Sequence, residues 1–328
     1  MLNDIIEGCF VISSDDLIFE VKGIMHPEDR IIAYVRYVPD VDGERRGFRK
    51  ISNFYEREEY LKKNFPYYLW YSKTHGRVLQ SVPREMVKIS LNPVEYLDSM
   101  KKAMVKDDLS RATIELANKL EQIANIKKLD IGVTGSQLTG TIIESSDIDL
   151  VIYGSAACYR FYNRIQEMFD QIHDLKRYSG NLLDTHVRFR WRRLEEYHSI
   201  LKKIEHEKLL QGIFEPYHFY IRLVKKPCDV KEEYGTITTK MRGFCEMNCV
   251  VKDVSQSIFT PCEYIVKSLE YPKIKKLVSY RGRFTEQASS GMLVRVRGRL
   301  EDVTNNCTGE IYQQIVMGEC PTDFLLPI

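Results

Sequence analysis

The chain lacks most of what would mark a specialised class of protein. Its 328 residues hold eight cysteines, at 9, 158, 228, 245, 249, 262, 307 and 320, but no Cys-x-x-Cys pair. Cys245 and Cys249 lie four apart, with no second Cys or His pair at zinc-site spacing. Thiols scattered in this way read as small, mostly buried residues in a reducing cytoplasm. No apolar run approaches the ~20 residues of a membrane span. The opening Met1 to Glu7 has early acids and no basic stretch, so it does not read as a signal peptide. A cytoplasmic chain without a membrane partner is expected. Charge of one sign is also missing: 48 Lys and Arg stand against 46 Asp and Glu, a net +2. That excludes a strongly basic nucleic-acid binder, so any such surface must come from local clustering. There is no Gly-x-x-x-x-Gly-Lys-Ser/Thr loop, no Gly-x-Ser-x-Gly turn and no His-Glu-x-x-His pair.

What is present is concentrated between Val133 and Tyr153. Gly135-Ser136 forms a turn after an apolar run, and Asp147-Ile-Asp149 opens a second apolar run, Leu150 to Tyr153. Carboxylates one residue apart on a strand project from the same face. Two adjacent like charges repel unless a cation compensates them. Mg²⁺ suits an all-oxygen site of a few carboxylates completed by substrate phosphates. Glycine lets a backbone approach a polyphosphate closely, and a serine hydroxyl and exposed N–H groups donate to its oxygens. Acids beside such a turn define a phosphoryl- or nucleotidyl-transfer site.

The pattern resembles the DNA polymerase β-like nucleotidyltransferase superfamily, whose signature is a Gly-Ser turn, a short variable segment and Asp-x-Asp between apolar residues. Gly135, Ser136, Asp147 and Asp149, with Ile148 and Leu150, match it over about Leu129 to Tyr153. The surrounding chain looks like archaeal predicted nucleotidyltransferases with extra segments on both sides. The runs Lys22 to Arg30 and Phe259 to Tyr264 carry that likeness. The resemblance implies that Asp147 and Asp149 bind Mg²⁺ or Mn²⁺, and that Gly135 and Ser136 hold the phosphates of an NTP. It implies transfer of an NMP to an acceptor hydroxyl with release of pyrophosphate.

The superfamily usually carries a third carboxylate on a later strand. Here the natural strand, Phe219 to Val224, carries Arg222 and no acid. Asp184 and Asp229 are the nearby candidates. The missing acid keeps a second reading open, a catalytically weak or inactive nucleotide- or RNA-binding module using the same site. Arg222 is either a phosphate contact or half of a structural ion pair.

The expected fold is α+β in three segments. Residues 1–91 are β-rich, with strands near Phe10, Leu17 and Ile31 and a short helix from Tyr55 to Asn64. Residues 92–234 form the nucleotidyltransferase core, a mixed sheet with helices. Asn92-Pro93 starts a helical stretch that runs to about Asn125, with an interruption near Asp107. Residues 235–328 form an antiparallel β-barrel-like domain of short strands punctuated by Gly, Asn and Pro. Arg295, Arg297 and Arg299 alternate on one strand and Arg281 and Arg283 on another, a five-arginine face that either binds a phosphate backbone or is merely solvated. It leaves RNA or DNA as an acceptor, and the oligomeric state open.

Overall fold

The computed structural model describes residues 5–328. These form a mixed α/β protein with three sheets and eight α-helices among the described residues. No described helix is long and apolar enough to cross a membrane. All eight cysteines are free. Half of them, rather than most, are buried: Cys9, Cys158, Cys249 and Cys262.

The chain divides into two compact units. The first comprises the chain up to Tyr71, with Val78–Lys176 and Leu210–Lys231. Its N-terminal sheet is built from β1 (Phe10–Ser13), β2 (Ile18–Val21), β3 (Arg30–Pro39), β4 (Phe48–Lys50), β5 (Leu69–Ser72), β6 (Arg77–Pro83) and β7 (Val87–Leu91). The order is β5-β6-β3-β2-β1-β7, with β4 paired on β3. Helix α1 (Phe54–Asn64) starts at Asn53, whose side chain accepts the Tyr55 N–H. Leu61 of that helix joins Val11, Phe19, Val35 and Tyr68 in the core on one side of the sheet.

The mixed sheet of the same unit follows two capped helices. Asn92 accepts from the N–H groups of Val94 and Glu95 and starts α2 (Pro93–Lys102), with Pro93 in the first turn. Asp107 accepts from Ser110 and starts α3 (Asp108–Ala124), which ends at Asn125 in the left-handed conformation. The interruption expected near Asp107 is therefore a helix boundary. Then come β8 (Ile131–Val133), α4 (Gly135–Thr139), β9 (Ile148–Tyr153), α5 (Ser155–Tyr162), α6 (Ile165–Gln171), β10 (Leu175–Lys176), β11 (Gln211–Phe214) and β12 (Tyr217–Val224). The sheet order is β10-β11-β12-β9-β8, with β9 and β12 parallel. The buried run Leu150 to Tyr153 is what a central strand covered on both faces requires.

Two apolar seams join the sheets of this unit. Ile6 packs with Val151, Tyr153 and Val224. Phe10, Ile18 and Tyr37 pack with Leu138 of α4. A buried polar seam lies alongside: Lys22 bonds Glu7 at 3.1 Å and Glu20 at 2.6 Å, and Arg222 of β12 pairs with both acids. Two acids and two cations balance there, so neither charge is left alone in the interior.

The second unit comprises Ser72–Arg77, Arg177–Leu209 and Glu232–Ile328. Its helices are α7 (Gly180–Arg190) and α8 (His198–Glu207). Its strands are β13 (Ile237–Asp253), β14 (Cys262–Lys267), β15 (Ile274–Ser279), β16 (Leu293–Asn305), β17 (Ile311–Met317) and β18 (Phe324–Pro327). The pairings run β13-β14-β15-β17-β16 and return to β13, with β18 added on β16. The β15–β17 pair is parallel, so the expected all-antiparallel arrangement does not hold. The two strands expected at 236–240 and 245–252 are one strand, because a bulge between Met241 and Gly243 keeps it paired with β16 throughout. Trp191 stands edge-on to Phe284 at 5.4 Å. Lys208 donates to Glu205 at 2.8 Å and to the Arg283 carbonyl at 2.6 Å. The stretch 177–209 thus groups with the C-terminal strands, across the sequence boundary expected at 234/235.

Candidate nucleotide and metal site

The site begins with the crossing of β8 into α4. Val133 pairs with Leu150, and the Thr134 N–H donates to the Asp149 carbonyl at 2.9 Å. That pairing lays the Gly135-Ser136 turn directly on the start of β9. Gly135 has φ +67°, and a Cβ there would lie 2.2 Å from Asp149 Oδ2. Only glycine combines that backbone with that approach. A turn at Ile143–Ser146 delivers the chain to Asp147: the Ile143 N–H donates to Ser146 Oγ at 2.9 Å, and the Ser146 N–H to the Ile143 carbonyl at 3.0 Å. Asp147 is exposed and Asp149 half-buried. Burial first, and then the neighbouring Asp147, push the Asp149 carboxyl up to about 7, against the opposing charges of Arg222 and Lys50. A carboxylate pair that raises its own proton affinity in this way calls for a cation.

The donor set fits a divalent ion of the Mg²⁺ type. It offers two neighbouring carboxylates, Asp147 exposed just before β9 and Asp149 half-buried on it, a set that water and substrate oxygens would complete around such an ion. No cluster of three or more His, Cys, Asp or Glu side chains suited to a metal occurs among the described residues, so the pair is not part of an all-protein cage. The Ser136 hydroxyl is bonded to no described residue and remains available.

The other sequence candidates are scattered. Asp229 accepts from the N–H groups of Ser155 and Lys226 at 2.8 and 2.9 Å. It therefore sits past the far end of β9, whose six residues put it roughly 17 Å from the acidic pair at ~3.3 Å per residue. Asp184 lies on α7 in the second unit, bonded to Lys202 at 2.8 Å. Neither is drawn to Asp147 or Asp149 by any described bond. In the parallel register of β12 and β9, Tyr220 stands opposite Asp149. Arg222, two residues on, is held by Glu7 and Glu20, which makes it a member of the buried quartet and not a free phosphate ligand.

The five-arginine face does not form. Arg281 precedes and Arg283 lies within a tight 3-10 turn, Gly282–Phe284, beyond the end of β15. Arg283 lies over the Trp191 ring at 4.8 Å and donates to the Arg190 carbonyl. Arg299 is buried against Glu301 and Glu319, because its side chain turns into ion pairs in the middle of β16. Arg295 pairs with Glu246, and of the five only Arg295 and Arg297 are exposed.

Sequence reasoning passed over Lys50, which feels the charges of both acids, and Arg36 and Arg45, which lie near Lys50. Arg36, Arg45 and Lys50 come from β3, the loop after it and β4. Arg45 donates to the Thr141 carbonyl at 3.0 Å, two residues past α4. Burial first, then Arg36 and Arg45, bring the Lys50 ammonium down to about 8, while Asp147 and Asp149 oppose that shift. Burial opposes the Glu20 charge, but Lys22, Arg222 and Arg36 outweigh it and hold that carboxyl well below the usual range. The readable signal was Glu20 itself, a charge inside the fully buried run Ile18–Val21.

Residues 114–211, the stretch that holds the turn and the acid pair, match the family model described as Nucleotidyltransferase domain. An uncharacterized protein of the archaeon Methanocaldococcus jannaschii is 26% identical over 322 residues, covering 94% of each chain, so the likeness extends through both flanking segments. No solved structure matches the chain.

Proposed function

We propose that this protein is a metal-dependent nucleotidyltransferase that moves an NMP from NTP to an acceptor hydroxyl and releases pyrophosphate. The close approach of the Gly135 backbone to the Asp149 carboxylate carries the reading, because it lays the Gly135-Ser136 turn directly against an acid pair that needs a cation. Asp147 and Asp149 would hold Mg²⁺ or Mn²⁺; when bound, the ion neutralises the pair and the charge that develops on phosphate oxygens. Gly135 leaves the backbone open to the phosphates, and the Ser136 hydroxyl donates to them. The acceptor oxygen forms a bond to the α-phosphorus as the bond to the β-phosphate oxygen breaks.

In this reading the segment 92–234 supplies the chemistry, and 1–91 and 235–328 select the acceptor. The ring β13-β14-β15-β17-β16 supports a small five-stranded barrel. Numbered within the ring, its order is 1-2-3-5-4-1 with the third and fifth strands parallel, the order of oligonucleotide/oligosaccharide-binding barrels. That supports an RNA or DNA acceptor by analogy of fold. One observation favours a second reading, a nucleotide- or RNA-binding module without turnover: Tyr220 occupies the place opposite Asp149 where a later-strand acid would stand. Incubation with labelled NTPs, Mg²⁺ and mixed RNA separates the two. Incorporation that disappears in Asp149→Ala supports the enzyme, and tight NTP binding without pyrophosphate release supports the module.

A further inference from the structure

Three cations, Arg36 and Lys50 on the N-terminal sheet and Arg45 in the loop between β3 and β4, gather on the side of the sheet that meets α4. Ile18 pairs with Tyr37 but Phe19 pairs with Val35, so Arg36 is the extra residue of a β-bulge. A bulge removes a residue from the in-out alternation and re-aims its side chain. Arg36 Nε lies 3.9 Å from Glu20 Oε2. Glu20 shares the strand face of Ile18, and Ile18 packs with Leu138 of α4. Lys50 pairs with Tyr37, a member of the same cluster, and cross-strand partners share a face. Both cations therefore lie on the side of the sheet that meets α4, the helix that carries Gly135 and Ser136. Arg45 reaches the same place through its bond to the Thr141 carbonyl.

The charges there do not cancel. Glu7 and Glu20 are matched by Lys22 and Arg222. Among the described residues, the acid nearest Arg36 is Glu20 at 3.9 Å, already matched, and the acid paired with Arg45 is the exposed Glu44 at 3.6 Å. Lys50 makes no hydrogen bond or ion pair with a described residue. Its opposite charges are Asp147 and Asp149, which a divalent ion would neutralise. With that ion in place, three like charges would crowd one wall, a costly arrangement unless a polyanion lies against them. A triphosphate, with roughly four negative charges and many acceptor oxygens, has the matching chemistry.

We propose that Arg36, Arg45 and Lys50 form a triphosphate-binding wall opposite the Gly135-Ser136 turn, so that the N-terminal sheet supplies part of the nucleotide site. These residues lie outside the segment that matches the nucleotidyltransferase family. The inference rests on the nucleotide reading of the Asp147–Asp149 site, yet it concerns binding and not turnover.

The test is calorimetric titration of the full chain with inorganic tripolyphosphate, ATP, AMP and a short single-stranded oligonucleotide, each with Mg²⁺ and with EDTA. Wild type is compared with Lys50→Met, Lys50→Arg and Arg36→Met, with a thermal melt of each as a control on folding. Lys50→Met should weaken tripolyphosphate and ATP about tenfold or more while leaving AMP within about twofold, and Lys50→Arg should restore most of the loss. Arg36→Met should act in the same direction. Unchanged tripolyphosphate and ATP affinities in both Met variants overturn the wall, and so does wild type that binds neither. A loss confined to the oligonucleotide assigns the cations to the acceptor and also overturns it. Met variants that bind triphosphate and incorporate NMP as the wild type does sink this inference and leave the transferase standing. Triphosphate binding through Lys50 without any pyrophosphate release does the reverse.

Discussion

At the scale of the residue, the account turns on one close approach. Gly135 has a backbone that a side chain strains and a Cβ direction filled by Asp149. Gly135→Ala should keep the fold but push the turn off the carboxylate. A displacement of about 1 Å in such a site costs on the order of 100-fold in rate, so NMP incorporation should fall by about that much. Assaying incorporation beside a thermal melt checks this, and an alanine variant with full activity would remove the steric argument. The acid pair and the glycine were legible because they form a local pattern, one turn and one strand start. Arg36, Arg45 and Lys50 were not, because their role depends on a bulge and on contacts made about 100 residues along the chain. Arg281 and Arg283 misled for the converse reason. Alternation in the sequence reads as one face only where a strand runs, and the strand stops at Ser279.

At the scale of the element, the N-terminal sheet is held by contacts that can be tested one at a time. Leu138 is 4% exposed in the seam between the sheet and α4. Leu138→Ala should cost about 2–5 kcal/mol, measured by denaturant unfolding. His26 fixes the segment that leads into the sheet. The Ile32 N–H donates to its Nδ1 at 3.2 Å, so the ring proton lies on Nε2, which is 2.9 Å from the Ile5 carbonyl and donates to it. Burial pushes the His26 imidazole down to about 4; the bond to Ile5 opposes that shift and Arg84 adds to it. A His whose folded value lies below its unfolded 6.5 is neutral in the fold and binds a proton more readily when unfolded. Its stabilisation is therefore whole above about pH 6.5 and falls as pH drops toward about 4, by at most ~3 kcal/mol. Unfolding curves between pH 7 and 4 should show a loss of stability that is reduced in His26→Gln. An equal loss in the variant would assign the acid sensitivity elsewhere. Capped elements such as α2 and α3 were legible because Asn92, Pro93 and Asp107 act within one turn. The strands β6 and β7 were not, since they pair with β3 and β1, far away in the chain.

At the scale of the whole molecule, the second unit draws its core from two stretches of sequence. Phe284 is fully buried partly by Trp191, and Lys208 is bonded to the Arg283 carbonyl. A fragment cut at the sequence boundary, 235–328, loses α7 and α8. It should show a poorly dispersed amide spectrum or a lowered melting temperature relative to a fragment that begins at 177. Equal stability of the two would show that the helices add nothing to the strands. The boundary at 234/235 was drawn where the composition turns from helical to strand-like, and composition carries no information about which helices the strands cover.

The most direct measurement is pyrophosphate release and label transfer from each of the four α-labelled NTPs, with and without RNA, in Mg²⁺ or Mn²⁺. Asp147→Ala and Asp149→Ala are run beside the wild type. The account predicts release coupled to label transfer that requires the divalent ion and vanishes in both variants. Transfer that persists without either carboxylate, or a wild type that neither binds nor cleaves any NTP, would contradict it.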